Sequence, residues 1–146
     1  YNRTNKAELK SPVKAYNGAY NPYIDIYLNG VVGDKGIYSS VEDLYLFYRG
    51  LTTGKLIKKE TLTLATSPHN ESRKDGKNYG YGFRILERTE YPNIVFHTGW
   101  WKGFRTYFIL DQELNKTAIV LTNLKRGPFL SVEELLSLIE SSIQTF

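Results

Sequence analysis

The residues best able to do chemistry lie together, where a predicted strand ends. His97 and Thr98 precede Gly99, and Trp100 and Trp101 follow it. A glycine here lets another backbone approach closely, and the next residue can then aim its backbone N–H outward. A fixed N–H of this kind stabilises an oxyanion during acyl transfer. The triplet alone is a weak indication, because a histidine at a strand end is usually a hydrogen-bonded surface residue.

Composition narrows the class of protein. Hydrophobic residues make up 41% and charged residues 23%, which favours a folded domain. The net charge is +4, but the basic residues are dispersed, so we expect no nucleic-acid binding. With no cysteine and 2 histidines, no cysteine-based or histidine-based metal site is expected. We expect His69, the second histidine, to be a solvated loop residue.

Ser39 and Ser40 precede the first predicted helix. A serine cap followed three residues later by an acidic residue satisfies exposed backbone N–H groups at a helix start. Apolar residues then recur at helical spacing, which predicts one buried face. That face consists of Val41, Leu44, Tyr45, Tyr48 and Leu51. Gly50 and Gly54 indicate its end.

Two more helices are predicted. A weaker one covers residues 58–65 and ends before Pro68. The last covers residues 131–145 and begins at a capping box made by Ser131 and an acidic residue three positions later. Its apolar stripe consists of Val132, Leu135, Leu136, Ile139 and Ile143.

The region between these helices has the pattern of strands. After a polar loop at residues 69–78, four strands are predicted, joined by turns, and one turn is a hairpin at residues 111–115. Alternation places Phe104, Thr106, Phe108 and Leu110 on one face. The predicted strands are residues 79–87, 93–97, 104–110 and 117–124. An antiparallel meander followed by a helix packed on it is an α+β fold.

The N-terminal residues 1–29 are polar and lack a clear period. We expect an irregular segment there, with a short strand near residues 23–28. The domain then covers residues 30–146. No apolar run approaches the roughly 20 residues of a membrane helix, and no signal peptide is recognised.

Three phrases resemble, in order, the serine β-lactamase and penicillin-binding-protein family, and class C β-lactamases in particular. Residues 36–44 are similar to a glycine-led, capped helix start, and residues 79–83 to a glycine-aromatic strand. His97-Thr98-Gly99 resembles the third catalytic box, in which Lys-Thr-Gly is common and histidine is a known replacement. The resemblance runs from about Gly30 to the C-terminus. It implies the C-terminal part of a β-lactamase/transpeptidase-like fold.

The resemblance also implies roles at the site. His97 and Thr98 would face the substrate cleft, Gly99 would give clearance, and the backbone N–H of Trp100 would be an oxyanion-hole donor. Trp100 and Trp101 depart from the small residues that the family usually has here. Their bulk would narrow the cleft or stack on substrate, which works against a β-lactam.

The family's nucleophile pattern, Ser-x-x-Lys followed by Tyr-x-Asn, has only accidental matches here. Ser11 and Lys14 fit the first spacing, and Tyr27 and Asn29 fit the second. The family places a helical subdomain between these motifs, which so short an interval cannot hold. The segment also lacks the apolar run of a buried helix. We therefore expect the nucleophile to lie outside this chain and the chain alone to be inactive.

By resemblance, the parent protein hydrolyses an acyl bond through an acyl-enzyme, with no cofactor implied, and is periplasmic or extracellular. Its substrate is a β-lactam, a D-alanyl peptide or an ester. The rival reading is a non-catalytic module that binds glycan or peptide on an aromatic platform. The missing N-terminal part would be a partner, since in the family its strands pair beside the last strand. Without it, we expect a dimer through the edge of residues 117–124, or cover from the N-terminal segment.

Overall fold

A computed structural model describes residues 13–31, 33–71, 77–87, 94–112, 115–125 and 130–141. A 3₁₀ helix at Tyr27–Gly30 precedes helices α1 and α2, a run of strands and a final helix, α3. The bounds are α1 Val41–Thr52, α2 Lys59–Ala65, β1 Lys77–Tyr79, β2 Arg84–Leu86, β3 Ile94–Trp101, β4 Phe104–Asp111, β5 Lys116–Thr122 and α3 Val132–Ser141. No helix in these ranges is long and apolar enough to cross a membrane.

The strands form one antiparallel sheet in the order β1-β2-β3-β4-β5. This confirms the predicted α+β meander. The single strand predicted over residues 79–87 is wrong, because the chain turns between Gly80 and Phe83. The Gly80 N–H donates to the Phe83 carbonyl, and Gly82 has φ +80°, a conformation that suits glycine. The loop predicted at residues 69–78 also overlaps β1, which begins at Lys77.

Apolar clusters lie on both faces of the sheet. On one face, α3 buries Leu136 in a cluster that the sheet supplies with Leu86, Ile94, Phe96 and Ile109. Packing of the last helix on the meander is thus confirmed, although residues 142–145 of the prediction lie outside the described residues. On the other face, Tyr48 of α1 packs with Ile85, Val95 and Leu110.

Helix α1 begins as predicted but buries less of its face. The Ser40 hydroxyl accepts from the Asp43 N–H at 3.1 Å. Tyr48 and Leu51 are buried, but Val41 and Tyr45 are 44% and 46% exposed. The prediction is wrong for these two, since the packing on the sheet cluster is made by the second half of the helix. Residues 59–65 form α2 as expected.

The capping box of α3 is present. The Glu134 N–H donates to the Ser131 hydroxyl at 3.1 Å, and the Ser131 N–H donates back to the Glu134 carboxylate at 2.5 Å. These reciprocal bonds satisfy N–H groups that the first helical turn leaves without partners. These bonds fix the position at which α3 begins.

The N-terminal segment meets the sheet just beyond β5. The Tyr16 N–H donates to the Asn123 carbonyl at 2.8 Å, and the Tyr16 carbonyl accepts from the Lys125 N–H at 2.9 Å. Within the described part of the chain, no strand lies beside residues 116–122 on the outer edge of β5. A dimer through that edge remains a prediction. The short strand expected at residues 23–28 is wrong, because a 3₁₀ helix begins at Tyr27.

Candidate functional site

The candidate site lies on the outer edge of β3, beyond the point where β2 ends. Strand β2 pairs with β3 only as far as Arg84 opposite Phe96. On the other side, β4 pairs with β3 all the way to Trp101. In the described ranges, no strand therefore covers the outer edge of residues 97–101. Such an edge can pair with an extended ligand through its main-chain groups.

His97 is exposed at the start of this edge. Its Nε2 lies 3.2 Å from the phenolic oxygen of Tyr79, the last residue of β1. The two rings meet edge to face, with centroids 6.4 Å apart. Tyr79 is the site residue that the sequence analysis missed. Its only signal was its place before Gly80 in the glycine-aromatic phrase, which carries no information about a histidine 18 residues away.

Thr98 and Gly99 continue the edge. Neighbouring strand residues project to opposite faces, so His97 and Thr98 flank the edge from two sides. Gly99 lies opposite Thr106 of β4, and a Cβ added at Gly99 would be 2.5 Å from the Thr106 Oγ1. That distance is well inside van der Waals contact. A side chain at this position would force the Thr106 hydroxyl to shift, so the neighbour in the sheet limits the room there, whatever space Gly99 also leaves for a ligand.

Trp100 is 68% exposed, and its ring is held in place. The indole N–H donates to the Lys102 carbonyl at 3.1 Å. The Arg105 guanidinium lies 5.4 Å from the ring centroid, within cation–π range. The side chain thus places a large, oriented aromatic surface beside the edge.

Trp101 is held by the segment of residues 24–31 and 33–35, which we call the clasp. The Trp101 indole N–H donates to the Asn29 Oδ1 at 2.6 Å. Asn29 is buried, and its amide donates to the Asp25 carboxylate at 2.6 Å. The Lys35 ammonium lies 4.3 Å from the Trp101 ring centroid. Trp101 therefore has protein partners at its N–H and at its ring.

The clasp also contacts the turn between β3 and β4. Lys102, in that turn, has φ +53°, and its ammonium donates to the Ile24 carbonyl at 2.6 Å. The two residues of the Tyr27-x-Asn29 pattern, which we interpreted as accidental, lie in different environments. Tyr27 is 89% exposed, whereas Asn29 anchors Trp101. In the Ser11-x-x-Lys14 pattern, which we also interpreted as accidental, Ser11 lies outside the described residues.

His69 has partners of its own. Its Nε2 is 2.8 Å from the Leu64 carbonyl of α2, and its ring stacks on Tyr81 at 4.1 Å. It is exposed, as expected of a loop residue, but these contacts fix its orientation. Among the described residues, no cluster of three or more histidine and acidic side chains could hold a metal ion.

Comparisons with known proteins agree on a family. The family model described as Beta-lactamase matches residues 1–138. Penicillin-binding protein 4* of Bacillus subtilis (strain 168) is 33% identical over 98 residues, which are 67% of this chain and 22% of that protein. A solved penicillin-binding protein from Bacillus halodurans is similar in fold, with a TM-score of 0.57 and 20% identity. That match covers 69% of this chain and 30% of the solved one. The chain thus spans less than a third of either relative.

Proposed function

We propose, since the chain belongs to the β-lactamase family, that it forms one wall of the active site of a serine hydrolase. The observation that carries this proposal is the outer edge of β3 at residues 97–101, which no strand of the described ranges covers. This edge presents His97, Thr98 and Trp100 in sequence. The nucleophilic serine and its base belong to a part of the protein outside this chain.

The proposed reaction is acyl transfer through a covalent intermediate. The serine oxygen attacks the carbonyl carbon of the substrate, while a base removes its proton. The carbonyl oxygen becomes an oxyanion, held by the N–H of the serine and the N–H of Trp100. The bond to the leaving group then breaks, and the leaving group takes a proton. Water attacks the acyl-enzyme in the same way, releasing the acid and the free serine.

The substrate class stays open between a β-lactam, a D-alanyl peptide and a simple ester. Both relatives are named penicillin-binding proteins, which supports a ligand of the penicillin kind. Trp100 favours a flat or narrow substrate, because its exposed ring restricts the space beside the edge. We also propose a periplasmic or extracellular location, in keeping with the family.

Replacement of His97 tests the assignment of the site. In the full-length protein, His97→Ala should lower kcat by about tenfold or more. That loss is smaller than the roughly 10²–10³ lost with a direct oxyanion donor, because His97 flanks the reacting carbonyl. Steady-state kinetics with a chromogenic β-lactam and a p-nitrophenyl ester measure this. His69→Ala is the matched control, since it removes the other histidine and should leave kcat unchanged. An active protein indifferent to His97→Ala would contradict the assigned site.

A second function, non-catalytic binding of glycan or peptide, is favoured by the exposed and oriented ring of Trp100. Tyr27 adds a second exposed aromatic side chain. Aromatic rings with fixed orientation bind such ligands with little loss of conformational entropy. In this case Trp100→Ala would abolish binding in a fluorescence titration with a peptidoglycan fragment, and the full-length protein would show no turnover of any acyl substrate.

A further inference from the structure

We infer that Tyr79 positions His97 in the candidate site by donating its phenolic hydroxyl to Nε2. This inference rests on the proposed function, in which His97 flanks the reacting acyl group. Tyr79 is a positioning residue, because it acts through the imidazole of His97. The hydrogen bond sets which ring nitrogen carries the proton, and thereby which side of the ring can donate a hydrogen bond.

The Tyr79–His97 contact joins β1 to β3, and β2 lies between these two strands. Tyr79 pairs with Arg84, and Arg84 pairs with Phe96, the residue before His97. The phenolic oxygen spans this interval and meets Nε2 at 3.2 Å. The two rings meet edge to face, with planes at 80°, and so do not stack as the rings of His69 and Tyr81 do.

Tyr79 is itself held firmly at its backbone. Its N–H donates to the side-chain Oδ1 of Asn78 at 2.7 Å, and its carbonyl accepts from the His69 N–H at 3.2 Å. Asn78 is buried, and its amide nitrogen bonds the Asn70 carbonyl and the Glu87 carboxylate. A side chain on an element fixed in this way can hold a partner to a defined geometry.

The two groups permit this direction, and the inference assigns it. A phenol has one O–H to donate, and a neutral imidazole offers one unprotonated nitrogen as an acceptor. Donation from Tyr79 to Nε2 therefore leaves the His97 proton on Nδ1. His69 has the opposite arrangement, because its Nε2 faces the Leu64 carbonyl, which can only accept. With the bond in the inferred direction, the two histidines of this chain carry their protons on different nitrogens.

Tyr81 provides a matched control for Tyr79. It is also a tyrosine beside a histidine, but it stacks face to face on His69, with ring planes at 10°. The partner of the His69 Nε2 is a backbone carbonyl and not a tyrosine hydroxyl. Tyr79→Phe should therefore free the Nε2 of His97, whereas Tyr81→Phe should leave both histidine tautomers unchanged.

The test combines ring-nitrogen NMR with kinetics on the full-length protein. In ¹⁵N-histidine-labelled protein, the resonances of His97 are assigned by their loss in His97→Ala. We expect them to show the Nδ1–H form, and we expect Tyr79→Phe to convert them to a mixture of tautomers. We also expect Tyr79→Phe to lower kcat about fivefold with KM unchanged, a loss typical of one hydrogen bond. Tyr81→Phe should alter neither the tautomer of His97 nor kcat.

Two results would overturn the inference while the proposed function stands. One is a His97 resonance that does not respond to Tyr79→Phe. The other is an altered tautomer in a protein whose kcat stays at the wild-type value. Failure of the proposed function looks different, because the wild-type protein itself would then turn over none of the acyl substrates. That result would also overturn the positioning role and reduce the Tyr79–His97 contact to a structural one.

Discussion

At the residue scale, Gly99 has little room for a side chain. We predict that Gly99→Ala lowers the free energy of unfolding by about 1–3 kcal/mol, as overpacking commonly does. The new Cβ would lie 2.5 Å from the Thr106 Oγ1, and the next atom of Thr106 is 3.8 Å away. Adding Thr106→Ala should therefore recover most of the loss. Urea denaturation of the two single variants and the double variant measures this. A double variant no more stable than Gly99→Ala would show that the clash is not the cause.

Tyr48 gives the fold a dependence on alkaline pH. Burial raises the pKa of Tyr48 above its ordinary value of 10.0. A group whose pKa is raised on folding contributes stability that is complete below the unfolded pKa and is lost as pH rises through the folded pKa. Tyr48→Phe should therefore lose less stability than the wild type above about pH 10.

The same substitution has a cost at neutral pH, because the Tyr48 hydroxyl donates to the Asn115 Oδ1 at 2.9 Å. Loss of that bond should lower the free energy of unfolding by about 1 kcal/mol. Denaturant unfolding at pH 8 and above pH 10 separates the two effects. Tyr20→Phe, at an exposed tyrosine, is the control. If Tyr48→Phe and the wild type lose the same free energy of unfolding above pH 10, the burial of Tyr48 is not the cause of the alkaline loss of stability.

Residue patterns singled out the stretch from His97 to Trp101 because it is a run of consecutive residues, but they placed it after a strand of residues 93–97, whereas β3 continues to Trp101. They did not predict Tyr79 or Asn29, since each meets its partner through the tertiary fold. Tyr79 reaches His97 only because β2 lies between β1 and β3. Asn29 reaches Trp101 across 72 residues. Spacing along the chain carries no record of such contacts.

At the scale of elements, the clasp should depend on Asn29. Asn29→Ala leaves the Trp101 N–H without its partner, which typically costs about 1–3 kcal/mol when the donor is buried. We expect faster amide hydrogen exchange in residues 24–31 and a red-shifted emission of Trp101, measured in a Trp100→Phe background. Tyr27→Ala is the control within the same segment, because that side chain is exposed. Unchanged exchange and emission in Asn29→Ala would show that the clasp is held by other contacts.

The alternating pattern of β4 predicted the strand correctly, and the serine caps predicted the starts of α1 and α3. The errors have local causes. The chain between Gly80 and Phe83 reads as continuous strand, but its turn hydrogen bond divides it into β1 and β2. Helical spacing indicated the buried face of α1, but spacing does not reveal which half of a helix packs on the sheet.

At the scale of the whole molecule, several apolar surfaces remain exposed. Two large hydrophobic side chains are exposed at α1: Ile37, which precedes the helix, and Leu46, which lies in it. Within the described residues, no strand covers the outer edge of β5. Both relatives are more than three times as long as the part that this chain matches. We propose that the remaining part of the parent protein covers these surfaces and supplies the nucleophile to the edge of β3.

The most direct test of this account is acyl-enzyme trapping, read by intact-protein and peptide mass spectrometry. The 146-residue chain and the full-length protein are each treated with a β-lactam and with a p-nitrophenyl ester. We predict that the full-length protein gains one acyl group on a serine outside this chain, and that the isolated chain gains none and shows no turnover. An adduct on Ser11 of the isolated chain, or no adduct on the full-length protein with any acyl substrate, would contradict the account.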